Sequence, residues 1–265
     1  MQPLLNLNEV ESLGARREVA SAVLQLINDE DAGALEVANV ASSDPLLSAK
    51  IMRMANSAYY GLSGKVNELH FAVSVLGFLT VRSLAVASLL NNLTPISKEA
   101  WKRYAVMASL SSGLAVYFAV DPAVAFCSGI MLDLGELVLA HHDPRGYRLL
   151  HKELASLPLY LRDDMARERE RSIYGLDHTE IAASLLRSWN FPQDIVDAVE
   201  SHHDSVQEGS SLSQVLRSAA RLAPFYANGI EELDASIDFP DELLHLDLKK
   251  LFQATESFVR DFVEL

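Results

Sequence analysis

Apolar side chains recur along this chain at helical spacing, and no strict alternation runs long enough to build a sheet. Val19, Val23, Leu24 and Ile27 share one face of a first helix, and Leu35, Ala38 and Ala41 begin a second. Asp44-Pro45, Asp121-Pro122 and Asp143-Pro144 each read as a helix start. The carboxylate accepts from free N–H groups of the first turn, while proline at the first helical position has no bond to lose. Leu157-Pro158 and Phe191-Pro192 are similar but lack the carboxylate. After Asp44-Pro45, Leu47, Ile51 and Met54 form one face of a helix that gives way near Tyr60-Gly61. The next helix starts at Asn67, carries Leu69, Ala72, Val73 and Leu76, and breaks at Gly77; another runs from about Thr80 to Leu90. The uncharged stretch Tyr104–Val120 is too short for a membrane span and reads as a buried helix. Asp177-His178-Thr179-Glu180 has the form of a capping box and opens a helix that reaches Trp189.

From Asp247 the tail repeats Leu248, Leu251, Phe252, Thr255, Phe258, Val259, Phe262 and Val263 on one face. Such a stripe docks on its own chain or joins two copies as a homodimer. The polar stretches His203–Ser213 and Asn228–Asp241 read as loops. The pattern as a whole predicts an all-α fold.

Composition narrows the function classes. With 22 basic against 36 acidic residues the net charge is −14, which disfavours a nucleic-acid partner, because affinity for phosphate backbones comes mainly from Lys and Arg. The single cysteine, Cys127, excludes an internal disulfide and a thiolate zinc site, and its apolar surroundings suit a buried thiol. Met1–Glu11 has neither the basic flank nor the apolar core of a signal peptide, so the expectation is a cytoplasmic protein with no membrane association. Gly-rich phosphate loops, G-x-S-x-G and H-E-x-x-H are all missing.

The remaining chemistry lies in His141-His142, His178, His202-His203 and Asp133. Neighbouring histidines on a helix point about 100° apart, so one ring of a pair ligates while the other bonds elsewhere. Each also has a structural reading: His141-His142 as a helix C-terminus, His202-His203 as a helix end, His178 as the neighbour of a cap.

The segment from Asp44 to Gly61, which includes Met54-Ala55-Asn56-Ser57-Ala58-Tyr59-Tyr60-Gly61, closely resembles the signature of HDOD domains. So do Ala72-Val73-Ser74-Val75-Leu76-Gly77, Tyr174-Gly175-Leu176-Asp177-His178-Thr179-Glu180, Trp189-Asn190-Phe191-Pro192 and Glu200-Ser201-His202-His203. The resemblance covers residues 12–210. It implies an HD-domain-like helical bundle at about 96–228, an N-terminal helical subdomain at about 1–95, and a C-terminal extension at 229–265 with an amphipathic helix.

The family is related to HD phosphohydrolases, whose clustered His and Asp side chains hold metal ions that activate water and clamp a phosphate. On that resemblance, the defining His-Asp pair falls at Leu132-Asp133, with leucine in place of histidine. An earlier ligand histidine falls at Arg103 or Tyr104, and a late aspartate near Arg221. Asp133, His178, His202 and His203 remain as residual ligands, and an arginine in such a cluster fills a cation's place electrostatically. Asp133 is then expected to pair with Arg103, with one of the histidines or with a helix N-terminus.

The resemblance therefore implies a non-catalytic bacterial signal-transduction module without a cofactor, acting on signalling proteins or a small ligand. Asn56, Ser57 and Tyr59 are a second candidate partner- or ligand-binding surface, against the plainer reading of a helix-ending turn. The alternative is a residual metal-dependent phosphohydrolase or phosphodiesterase using a divalent ion on Asp133, His178, His202 and His203. A DNA-binding reading rests on a superficial helix-turn-helix around Gly77, where the second helix offers only Arg82 as a basic residue.

Overall fold

All three Asp-Pro pairs start helices. Asp44 Oδ1 accepts from Leu47 N at 3.1 Å, Asp121 Oδ1 from Ala123 N at 2.8 Å, and Asp143 Oδ1 from Gly146 N at 2.9 Å. The computed structural model describes residues 18–27, 29, 31–62, 64–91, 98–157, 159–204, 209–228, 243 and 245–263, and no strand occurs among the described residues. The helices are α1 (Glu18–Ile27), α2 (Ala34–Ala41), α3 (Pro45–Ala55), α4 (Leu69–Asn91), α5 (Lys98–Ala115), α6 (Pro122–Met131) and α7 (Leu134–His142). They continue as α8 (Pro144–Leu154), α9 (Leu159–Tyr174), α10 (His178–Ser188), α11 (Gln193–Glu200), α12 (Ser211–Asn228) and α13 (Leu248–Val263).

Helices α1, α2 and α3 pack against α4, burying Val23, Val37, Ala41, Leu47, Ile51 and Met54. Helix α4 also packs on α6, which joins this group to the rest of the core. Lys50 of α3 adds a polar link, its Nζ 3.8 Å from the centre of the Trp101 ring on α5. Helix α5 is the axis of the second group and touches α6, α12 and α13. Helix α10 packs between α7 and α11, and α8 lies against both α7 and α9.

The expected helix from Asn67 starts at Leu69, and its expected break falls at Gly77, which has φ 74° and ψ 159°. That conformation is nearly exclusive to glycine, so the kink is written into the residue type. The stretch expected as one helix over Tyr104–Val120 is α5 followed by a 3-10 turn at Val116–Phe118. Two stretches, Leu69–Val86 and Pro122–His142, are long and apolar enough to cross a membrane by composition alone. The first is broken by Gly77 and the second by the turn at Leu132-Asp133; 78% of the second is buried within the protein.

The tail stripe docks on its own chain. Leu251, Thr255, Phe258 and Val259 are buried; Ser109 on α5 donates to Thr255 Oγ1 at 3.1 Å, and the Phe258 ring lies 5.4 Å from Phe126 and 5.8 Å from Tyr59. The side chains of Val19, Phe262 and Val263, together with Met1–Glu11, residues 205–208 and residues 229–241, lie outside the described residues.

Alanine at Gly77 has free space for its Cβ but not the backbone conformation. Gly77→Ala is expected to lower stability by about 1–3 kcal/mol, read as a lower urea midpoint with an unchanged slope.

Candidate functional site

The site begins with the cap of α10. Asp177 is fully buried, and its Oδ1 accepts from Thr179 N at 2.9 Å, Glu180 N at 3.0 Å and the Thr179 hydroxyl at 2.8 Å. Glu180 reaches back to Asp177 N at 2.9 Å, which completes the capping box. The second oxygen faces Arg167 Nε at 3.0 Å and an Arg171 terminal nitrogen at 2.9 Å. Burial alone would raise the Asp177 pKa; the hydrogen bonds and the guanidinium of Arg167 outweigh it and hold the carboxylate below its usual range.

This cap makes His178 the first residue of α10. Glu170 on α9, also fully buried, then holds His178 twice: its Oε2 accepts from the backbone N at 2.9 Å and faces ring Nδ1 at 2.7 Å. Its other oxygen accepts from the Tyr147 hydroxyl of α8 at 3.0 Å. From the opposite side, α7 comes so close that a Cβ on Gly135 would lie 1.9 Å from the carbonyl oxygen of His178. Only glycine permits that approach.

His202 and His203 follow α11 in a turn. Ring nitrogens of His178, His202 and His203 all lie within 4.8 Å of one another. His178 Nε2 is 3.2 Å from His203 Nε2, and His202 Nδ1 is 2.6 Å from the carbonyl oxygen of Val199. Burial by itself lowers the pKa of His178, but the bond to Glu170 and its charge raise it to about 9. Burial and the charge on His178 push His202 down to about 3, and burial with His202 pushes His203 well below its usual value. His178 thus stands between Glu170 and His203, and the directions of these shifts favour positive charge on His178 over His202 or His203.

Asp133 sits in the turn between α6 and α7, one residue after Leu132, which is buried in the core. Its Oδ2 lies 2.7 Å from Arg103 Nε, an ion pair without the alignment of a hydrogen bond. The same guanidinium bonds Glu136 on α7. Burial raises the Asp133 pKa, and Arg103 opposes that rise. Arg103, Asp133, Glu136, His178, His202 and His203 line one cavity of about 200 Å³. The four residual ligand candidates are therefore together, and Arg103 is the partner of Asp133.

The other candidates lie elsewhere. Asn56 uses its side-chain amide to join the end of α3 to Val66, at 3.0 Å to the backbone N and 2.7 Å to the carbonyl O, and also donates to Met52 O at 3.0 Å. Ser57 donates to Met54 O at 2.7 Å. Both side chains are engaged within the chain. Tyr59 lines a separate cavity of about 460 Å³ with Ser112, Leu251 and Phe258. His141 is exposed and His142 faces Tyr174, both in the last turn of α7. Arg221 lies on α12, one residue beyond the cavity-lining Ala220. Glu170, Tyr147 and Glu136 have no motif of their own. Glu170 in particular stands in the run Arg167-Glu168-Arg169-Glu170-Arg171, which has the look of a solvated face.

Comparison with known proteins gives the same picture of the chain. The family model for the HDOD domain matches residues 13–205. A Treponema pallidum protein named only as uncharacterized is 21% identical over 190 residues; the match covers 69% of this chain and 36% of that protein, so this chain corresponds to about a third of that relative. A crystal structure of a candidate phosphohydrolase from Shewanella amazonensis aligns with TM-score 0.72 at 24% identity, over 97% of both chains. A candidate signal-transduction protein from Marinobacter aquaeolei aligns with TM-score 0.64 at 23% identity, over 98% of this chain and 58% of that one. An HDOD domain protein of unknown function from Geobacter sulfurreducens gives 0.56 at 17% identity, over 97% and 89%. At these identities the likeness is one of fold.

Glu170 makes stability depend on pH in a stated direction. Because the folded pKa of His178 is raised, its contribution is complete below the ordinary value of 6.5 and is lost as pH climbs through about 9. Glu170→Gln is expected to cost roughly 1.5–3 kcal/mol at neutral pH and to flatten the loss of stability across that window. Urea unfolding at a series of pH values, with the His178 ring followed by NMR, measures both.

Proposed function

The chain belongs to the HDOD domain family, and from that membership we propose that it is a non-catalytic bacterial signal-transduction module acting through protein or small-ligand binding. The coarser statement, an HD-related regulatory or phosphohydrolase-like module, follows from family and fold together. The observation that carries the finer reading is Arg103, whose Nε lies 2.7 Å from Asp133 and whose guanidinium also pairs with Glu136.

Metal-assisted hydrolysis needs an ion that lowers the pKa of bound water and neutralises charge on a phosphoryl group. The residues here fit such an ion poorly. The carboxylate best suited to it, Asp133, is held by a fixed cation. The His178 and His203 rings use their Nε2 atoms on each other, at 3.2 Å. A divalent ion would have to displace that bond and accept a neighbouring guanidinium, which is unfavourable at low local dielectric. Arg103 supplies positive charge beside Asp133 and Glu136, where a metal supplies it in an intact site. The cavity then serves as a polar recess whose occupant biases the packing of α7 and α10.

One observation favours the residual phosphohydrolase reading: the three histidines converge within 4.8 Å, and His178 has the carboxylate partner usual for a ligating imidazole. The DNA-binding reading has less support. Arg82 is buried, bonded to the carbonyl oxygen of Trp189 and stacked 4.1 Å from the centre of the Phe191 ring, out of reach of a duplex.

Elemental analysis after incubation with manganese, iron or zinc and removal of the excess tests the proposal. The expected result is retention well below one ion per chain, with uptake raised by the double substitution Leu132→His and Arg103→His. Stoichiometric metal in the unaltered protein, lost on His178→Ala and accompanied by phosphodiester hydrolysis, would overturn it.

A further inference from the structure

The cavity beside Tyr59 shares no lining residue with the histidine-lined recess, and its walls carry a different chemistry. Helix α5 meets α13 here. On α13, Ala254 and Ser257 fall between the buried Leu251 and Phe258, and two small side chains in those places leave space against α5. Tyr59 and Pro122 complete the lining. The volume, about 460 Å³, lies within the roughly 300–1,000 Å³ of small-molecule sites. Among the described residues, no charged side chain lines it.

The polar side chains of the lining are hydroxyls, and their bonding is incomplete. Ser109 and Ser112 stand one turn apart on α5 and are only 7% and 4% exposed. The Ser109 hydroxyl donates to Thr255 Oγ1 at 3.1 Å, and its own oxygen accepts from no described residue. The Ser112 and Tyr59 hydroxyls bond each other. One bond between two hydroxyls uses one of their two hydrogens. The second has no acceptor among the described residues. The cavity therefore offers an open acceptor and an open donor, set one helical turn apart by α5. Hydroxyls this deep are costly to leave short of partners.

Tyr59 adds an aromatic wall. Its ring lies 4.9 Å from Tyr60, 5.4 Å from Phe126 and 5.8 Å from Phe258, yet the residue is 41% exposed. Burial raises the pKa of its hydroxyl, and the Asp121 carboxylate, next to Pro122, adds to the rise. A carboxylate that opposes a phenolate also opposes an anionic ligand, and the net charge of −14 acts in the same sense. A cationic head finds no carboxylate in the lining to pair with.

We propose that this cavity is a second ligand site, for a neutral small molecule with an aromatic body and an amide head. The head donates to Ser109 and accepts from the Tyr59–Ser112 pair, and the rings of Tyr59 and Phe258 suit the body. Such a ligand bridges the turn after α3, helix α5 and α13, so its binding also fastens the tail helix.

The probe is benzamide, titrated into the full-length protein and followed by NMR. Benzoate and toluene serve as relatives that replace the amide by a charge or by a methyl group. Saturable benzamide binding is expected, with shifts centred on Ser109, Ser112, Gly113 and α13 and with slower hydrogen exchange in α13. Benzoate and toluene are expected to bind at least about threefold more weakly. Ser112→Ala removes one hydroxyl and is expected to weaken benzamide about three- to tenfold while leaving toluene unchanged. Should Ser112→Ala fail to fold, Ser257→Leu, at a half-buried position, fills the cavity and is expected to abolish binding of both. Leu149→Ala trims an exposed leucine on α8 and is expected to change nothing, which excludes general surface adhesion. Lack of saturation would overturn the proposal, as would benzoate or toluene binding as tightly as benzamide. So would benzamide binding that Ser112→Ala and Ser257→Leu both leave intact. Shifts confined to Arg103, Asp133 and His178 would overturn it too, and would place the ligand in the histidine-lined recess. None of these outcomes bears on the pairing of Arg103 with Asp133, which metal retention tests separately.

Discussion

A carboxylate taken fully out of water needs a partner for each oxygen, and Glu170 meets that constraint by tying three helices to one point. Its oxygens reach Tyr147 on α8 and both the backbone and ring of His178 on α10, while its own backbone belongs to α9. An unpaired carboxylate in this position would be strongly unfavourable, so the helices are held where all three bonds form at once. The bond to the ring also selects which nitrogen of His178 faces the cavity. The contact with His203 follows from that orientation, and the charge favoured on His178 adds to burial in lowering the His202 pKa.

The helix starts were legible in the sequence because they depend on local chemistry. An aspartate followed by proline, or an aspartate three residues before a glutamate, satisfies its own first turn with little help from the rest of the chain. The pairing of Asp133 with Arg103 was legible only as one of three possible partners, beside a histidine and a helix N-terminus, because the resemblance put Arg103 or Tyr104 where a ligand was expected. Helix α9 was not. Among its described residues the buried positions are Ala166, Glu170 and Tyr174, regularly spaced along one face, but only one of these is a large apolar side chain and one is a carboxylate. An apolar period cannot be seen when its central member is charged, and the partners that make that charge tolerable come from other helices.

Asn56 and Ser57 show the opposite case. They are prominent in the sequence, and their side chains are engaged in closing the end of α3 and joining it to Val66. A polar side chain that holds a turn and one that holds a ligand are equally conspicuous as letters; only the bonding distances separate them. The apolar tail illustrates a pattern that carries its own answer, because α13 places its stripe on α5 and reaches Tyr59 beside α3.

The close approach at Gly135 also fixes how the two walls of the cavity meet. With no side chain between them, the backbones of α7 and α10 meet as two hard surfaces, and Glu136, the next residue of α7, is attached to Arg103. The two helices therefore touch main chain to main chain at this point, with no compressible layer of methyl groups between them. A methyl added at Gly135 would have to part the wall that carries Glu136 from the wall that carries His178.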